Sequence, residues 1–173
     1  MRGCARLDAE VYPDQRVDRF VTENFLAARV NVREQPDEWR RFGERYGVQW
    51  TPTVLIVDPS GIERHRIEGF LPADDFLAQL ALGLAHSAFA RQQFGEAERR
   101  FREVVERFPD ADAAPEALYW AGVARYKATN DPSALEQTAQ AFAQRYQGSS
   151  WAKRASVWRK APQTPGVEGR PRA

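Results

Sequence analysis

The sequence predicts two parts, an α/β domain over residues 1–82 and an all-α region over 83–160. In the first part, runs with helical periodicity alternate with three short runs typical of β-strands. From Leu84 to Trp158 the spacing of apolar residues is almost entirely helical. The last segment, 161–173, is rich in Pro and Gly without an apolar pattern, which predicts a disordered tail.

Two helices are predicted at the start of the α/β part. In the first, from Cys4 to Tyr12, Leu7 and Val11 lie four residues apart and therefore share one face. A proline then interrupts the helical pattern. Asp14 is a suitable cap for the second helix, predicted over 15–23, because its carboxylate can accept free backbone N–H groups.

A strand and a third helix are predicted next. The alternating, partly β-branched run over 28–33 is typical of a strand. Pro36 and Asp37 are helix start signals, and aromatic residues follow at spacings of three and four. Gly47 is expected to end this helix, because glycine readily adopts the positive φ of a helix C-terminus.

A β-hairpin and a fourth helix complete the first part. The apolar run 53–57 predicts a buried strand, and the alternating run 62–67 predicts its return strand. The intervening Asp58–Gly61 segment is a turn, since proline presets φ and glycine accepts positive φ. The segment Leu71–Asp75 then starts a helix that continues past Leu80.

The second part repeats itself. The segment "ERFPDADAAPEALYW" aligns with "QRYQGSSWAKRASVW" at a distance of 38 residues. The alignment superimposes aromatic and small residues, pairing Phe108 with Tyr146, Ala117 with Ala155 and Trp120 with Trp158. A period of this length with paired helices predicts stacked helical hairpins.

Composition excludes several function classes. The 173 residues carry a net charge of +1, which gives no reason to expect nucleic acid or an anionic membrane as partner. No apolar run approaches the ~18 residues that span a bilayer, so membrane insertion is not expected. The first residues are polar rather than typical of a signal peptide, so we expect a cytoplasmic protein; the alternative is an export signal upstream of Met1.

Cysteine and histidine are too sparse for a disulfide or a metal site. The single cysteine cannot form an internal disulfide. Cys4, His65 and His86 show no metal-ligand spacing, so neither a metal nor another cofactor is expected. His65 lies between Arg64 and Arg66 and is expected on the surface of its strand.

Residues 4–82 resemble the C-terminal part of the thioredoxin fold. The resemblance rests on a cysteine at the start of a helix, a following strand and helix, and the segment "WTPTVLIVDPSG". It implies that Pro52 is the family's cis-proline and that the backbone of Thr51 receives an extended substrate. Trp50, beside this loop, is a candidate for the substrate surface. Cys4 takes the position of the family's second, resolving cysteine.

The resemblance is incomplete at its start. Thioredoxins carry Cys-x-x-Cys, and "MRGC" has Met1 at the position of the attacking cysteine. The central strand that precedes this motif has no counterpart either, which would leave flanking strands unpaired. Two explanations remain open: the native product starts upstream, which is our expectation, or the domain is completed by a partner strand or has repacked.

Residues 84–158 resemble tetratricopeptide repeats of a bacterial kind, through "FGEAERRFREVVERFPD" and "EALYWAGVARY". The combination resembles a bacterial group of small thioredoxin family proteins. It implies a thiol-disulfide exchange protein of cell redox homeostasis that binds a protein partner or a disulfide-containing client through its repeats. With only the second cysteine, this chain is expected to lack independent activity. The alternative is a non-catalytic protein–protein interaction module.

Overall fold

A computed structural model of the protein describes residues 2–160. The N-terminal part contains three helices and a β-hairpin: α1 (Arg2–Arg6), which continues as a π-helix (Leu7–Val11), α2 (Gln15–Asn24), α3 (Pro36–Tyr46), β1 (Thr53–Val57) and β2 (Glu63–Glu68). The C-terminal part is helical: α4 (Ala73–Ala90), α5 (Phe94–Arg107), α6 (Ala113–Thr129), α7 (Ser133–Gln144), α8 (Ser150–Ala155) and a 3₁₀ turn (Ser156–Trp158).

The first two helices agree with the sequence prediction. Leu7 and Val11, four residues apart, are both fully buried. The change from α to π geometry over Leu7–Val11 was not predicted, since apolar spacing does not distinguish the two. Asp14 caps α2 by accepting the backbone N–H of Arg16 at 2.8 Å. The third helix ends at Gly47, which has φ +64°.

The predicted hairpin is confirmed. Strands β1 and β2 pair antiparallel, with one register irregularity between Ile56 and Val57. Asp58 stabilises the turn by accepting the backbone N–H groups of Ser60 at 2.9 Å and Ile62 at 3.0 Å. Gly61 has φ +78°, a conformation that glycine adopts without a steric penalty. The side-chain hydrogen bonds of Asp58 therefore hold the turn in the form that the sequence indicated.

The strand predicted over 28–33 is wrong. This segment is irregular and ends in a turn at 32–34. The side chain of Asn31 accepts the N–H of Arg33, while the side chain of Gln35 accepts the N–H of Asn31. Such local hydrogen bonds compete with strand pairing. Among residues 2–160, β1 and β2 form the whole sheet, so the segment has no strand partner to favour an extended ladder.

Helix α4 joins the two parts by contributing to both cores. Its first half buries Phe76, Leu77 and Leu80 against the first helices and the hairpin. Its second half packs against the helices that follow, through buried residues that include Leu82 and Ala85. A single helix of 18 residues thus packs against the N-terminal part with its first half and against the other helices with its second half.

The C-terminal region is helical, as its apolar periodicity predicted, and its helices pack in succession. Phe101 of α5 and Phe142 of α7 are fully buried. Trp158 stacks on Tyr119 with ring centroids 4.6 Å apart, which fixes the last turn on α6. The 38-residue repeat stays a prediction. The tail predicted to be disordered lies outside the described residues. No helix among residues 2–160 is long and apolar enough to cross a bilayer.

Candidate functional site

The single cysteine of the sequence, Cys4, lies on α1 and is partly buried. The preceding residue, Gly3, faces the loop before β1. A Cβ atom at Gly3 would lie 2.9 Å from Cδ of Pro52 and 3.9 Å from Cβ of Phe70. The guanidinium of Arg6, one turn further along the chain, lies 3.8 Å from the ring centroid of Phe70. The helix that carries Cys4 is therefore packed directly on the Pro52 loop.

Hydrogen bonds on both sides fix the Trp50–Pro52 loop. The Thr51–Pro52 peptide bond is cis. The N–H of Gly69, which follows β2, donates to the Pro52 carbonyl at 2.8 Å. The hydroxyl of Thr53 donates to the Trp50 carbonyl at 2.7 Å. Although its carbonyl is held, Trp50 leaves 69% of its surface exposed, so the loop presents an aromatic side chain to solvent.

Charged groups lie near Cys4 on the side of the irregular segment. Arg29 donates two hydrogen bonds to the carboxylate of Asp8, at 2.9 and 3.0 Å. This bond to Asp8 raises the pKa of Arg29, and weaker interactions with Tyr12 and Cys4 act in the same direction. Burial raises the pKa of Tyr12, while the charge of Arg29 opposes that shift. Cys4 therefore lies near the phenol of Tyr12 and the exposed ion pair of Arg29 and Asp8.

The predicted site residues fall into one region. Pro52 contacts the residue beside Cys4, and Trp50 and Thr51 belong to the same loop. Sequence reasoning missed Gly3 and Phe70. Gly3 directly precedes the predicted start of the first helix, and a glycine allows another chain segment to approach its backbone closely, so its residue type offered a signal. Phe70 offered none, because its place beside α1 depends on how the hairpin returns.

The expectation for His65 was wrong. Its side chain is half-buried and stacks on His86 with ring centroids 6.0 Å apart and planes at 21°. A period of two puts His65 on the same face of β2 as the buried Ile67, and this spacing was the overlooked signal. The flanking Arg64 and Arg66 occupy the other face of the strand. Among residues 2–160, no three His, Cys, Asp or Glu side chains come together as a metal site.

Comparison with known families finds a match over the first half of the chain. The sequence model of the family described as thioredoxin-like domain matches residues 1–83. That range contains Cys4 and the Trp50–Pro52 loop, and it ends inside α4. No curated protein and no solved structure matches the chain. Residues 1–83 are therefore a thioredoxin-like domain, followed by a mostly helical C-terminal region.

Proposed function

We propose that this protein is a thiol-disulfide protein of the thioredoxin family that captures disulfide-containing client proteins without independent turnover. Cys4 is the reacting thiol, and the Trp50–Pro52 loop receives an extended client segment. The observation that carries the proposal is the packing of Gly3 against Pro52. It puts the helix of the single thiol beside a loop whose tryptophan is exposed.

The proposed reaction is one step of thiol–disulfide exchange. The Cys4 thiolate attacks a sulfur of the client disulfide, a new S–S bond joins Cys4 to the client, and the second client sulfur leaves as a thiolate. No other cysteine exists in the 173 residues to attack the mixed disulfide. Release therefore requires an external thiol. A reducing compartment such as the cytoplasm would supply that thiol and keep Cys4 reduced.

The helical region is proposed as the partner-binding module, built from tetratricopeptide-like repeats. An open groove of about 450 Å³ lies between the α5–α6 and α7–α8 connections. Pro109, Tyr146 and Trp151 line it together with Asp110 and Asp112. Concave surfaces that combine aromatic and other apolar side chains with a few polar groups are typical of ligand sites. This groove would hold a client away from the thiol and raise its local concentration.

A non-catalytic interaction module is the second candidate. The observation that favours it is the sequence's single cysteine, since a protein that only binds partners needs no thiol chemistry. The two candidates differ in one respect. Exchange requires the sulfur of Cys4, whereas partner binding by the loop and the helices does not.

Mass spectrometry of the intact protein separates the candidates. The reduced chain is mixed with a peptide containing an internal disulfide and, in parallel, with glutathione disulfide. We expect a peptide adduct on the wild type and none on Cys4→Ser. Trp50→Ala should slow adduct formation with the peptide more than with glutathione disulfide, because only the peptide can occupy the loop.

The matched control is Val157→Ala, which truncates another exposed apolar side chain, 79% exposed, at the far end of the chain. It should react like the wild type with both disulfides. If the wild type forms no peptide adduct while the peptide still binds, the interaction module replaces the exchange protein. If Trp50→Ala slowed adduct formation equally with both disulfides, the loop would not be the site that receives the client.

A further inference from the structure

The stacked imidazoles of His65 and His86 lie at the seam between the β-hairpin and the helical region. His65 belongs to β2 and His86 to α4. Nε2 of His65 lies 2.6 Å from Oε1 of Gln79, also on α4. Nε2 of His86 lies 3.0 Å from Oε1 of Glu116 on α6. Two ionisable rings with separate partners thus connect three elements of the two parts.

The seam around the stacked pair is tightly packed. A Cβ atom at Gly83 would lie 2.2 Å from Cδ1 of Ile56 and 3.1 Å from Cβ of His65, so the hairpin rests on the backbone of α4. The rings of Phe101 and Trp120 meet His86 edge-on, with centroids 5.0 and 5.6 Å away. Such packing leaves little room for water around a new charge.

Few groups are available to neutralise charge on His65. Its own strand offers Glu63, α4 offers His86 with the neutral Gln79, and α6 offers Glu116. From β1, the apolar Ile56 is its partner in the ladder. Burial lowers the pKa of His65, although the hydrogen bond to Gln79 opposes the shift; His86 lowers it further, and the two glutamates raise it.

Each ring already has a partner at its Nε2 atom, Gln79 for His65 and Glu116 for His86. A proton added to His65 would create an imidazolium that faces a second imidazole and an uncharged amide. We propose that the His65–His86 pair is a proton-sensitive clasp, closed when His65 is neutral and opened between hairpin and helices when His65 is protonated. This inference goes beyond the proposed thiol chemistry and does not rest on it.

The direction of the pH dependence follows from proton binding. In the open state, His65 takes its proton near the ordinary value of about 6.5. In the closed state the pKa of His65 is lower, so the open state binds more protons below that value. The clasp is therefore fully stable above about pH 6.5. As the pH falls, the opening constant rises by up to about tenfold per pH unit, until the closed state also becomes protonated.

Hydrogen exchange of the full chain tests the clasp at pH 7.0 and pH 5.0. The wild type is compared with His65→Gln, which keeps an N–H donor and cannot be charged. Because the two proteins are compared at the same pH, the intrinsic rate of chemical exchange is the same for both. We expect equal exchange at pH 7.0 and faster exchange of residues 53–68 in the wild type at pH 5.0. Residues 133–144 of α7, away from the seam, should exchange equally at both values.

Two further measurements keep the test independent of this variant's stability. NMR titration of the wild type should show His65 gaining its proton below about pH 6.5. Glu116→Gln should increase exchange of 53–68 at pH 5.0 and leave it unchanged at pH 7.0, because it removes a carboxylate that raises the pKa of His65 in the closed state. Titration of His65 at or above its ordinary value, or identical exchange of wild type and His65→Gln at pH 5.0, would overturn the proposal.

Discussion

Gly3 lies so close to Pro52 that the ring of the proline occupies the space where a side chain at position 3 would begin. A Cβ atom there would come within 2.9 Å of Pro52 Cδ, a distance that real Cβ contacts do not show. The helix of Cys4 and the loop of Trp50 are therefore in direct contact, with no space for an added side chain at position 3. A change at Gly3 should alter both the stability of the domain and the surroundings of the thiol.

Gly3→Ala should destabilise the N-terminal domain. Replacing glycine by alanine inside a helix favours folding by roughly 0.5–1 kcal/mol. Overpacking against a rigid ring costs about 1–3 kcal/mol, which outweighs that gain. We expect a net loss of about 1 kcal/mol in the free energy of unfolding. Urea denaturation, followed by circular dichroism, measures it.

The control for this change is Gly95→Ala. Gly95 lies in the first turn of α5, and a Cβ atom there would meet nothing within 4 Å. This variant should be as stable as the wild type or more stable by up to about 1 kcal/mol. If Gly3→Ala behaves like Gly95→Ala, α1 does not press on Pro52.

Gly122→Ala should separate α6 from α7. The added Cβ would lie 2.0 Å from the hydroxyl oxygen of Thr138 and 2.8 Å from its Cβ, so the threonine cannot avoid it by rotation alone. We expect a loss of about 3 kcal/mol, at the upper end of overpacking costs. The double variant with Thr138→Ala, which removes the clashing atoms, should recover part of this loss. Additive losses in the double variant would contradict the contact.

Asp58→Asn should reduce the acid sensitivity of the hairpin. The N–H of Ile62 donates to the carboxylate and lowers the pKa of Asp58, and Arg64 and Ser60 add to the shift. Because the folded pKa lies below the unfolded value of about 3.9, the stabilisation is present above that value and disappears as the pH falls through the folded pKa. Urea midpoints of wild type and variant should differ at pH 6 and converge near pH 2. A constant difference across this range would show that the charge of Asp58 does not stabilise the turn.

The 173-residue chain should show no catalytic disulfide reduction. Exchange at Cys4 ends in a mixed disulfide, and the sequence contains no second thiol to resolve it. With a disulfide-containing protein and no external thiol, the reaction should stop at one mixed disulfide per chain. Fast multiple turnover that disappears in Cys4→Ser would mean that another group completes the cycle.

Local signals predicted most of the fold. Asp14 at the start of α2, Gly47 at the end of α3 and the Asp58–Gly61 turn act through their own backbone neighbourhoods, which a sequence pattern reports directly. The segment over 28–33 shows where such patterns fail. Whether an alternating run becomes a strand depends on a neighbouring strand, and here the side chains of Asn31 and Gln35 bind local N–H groups instead.

The candidate site was predictable in part. Cys4 and the Trp50–Pro52 loop stand out by residue type and by family resemblance. Contacts between distant elements do not, so neither the placement of Phe70 beside α1 nor the stacking of His65 on His86 followed from spacing alone. The first depends on how the hairpin returns and the second on the packing of α4 against the hairpin, and both bring together residues that are far apart in sequence.

We propose that Cys4 and the Trp50–Pro52 loop form one client-binding surface, and hydrogen exchange of the Cys4 mixed disulfides is the decisive experiment. A peptide adduct is compared with a glutathione adduct, which blocks the same sulfur without an extended chain. We expect slower exchange of residues 50–53 in the peptide adduct than in the glutathione adduct. Unchanged exchange in residues 50–53, with protection confined to the helices after α4, would contradict it.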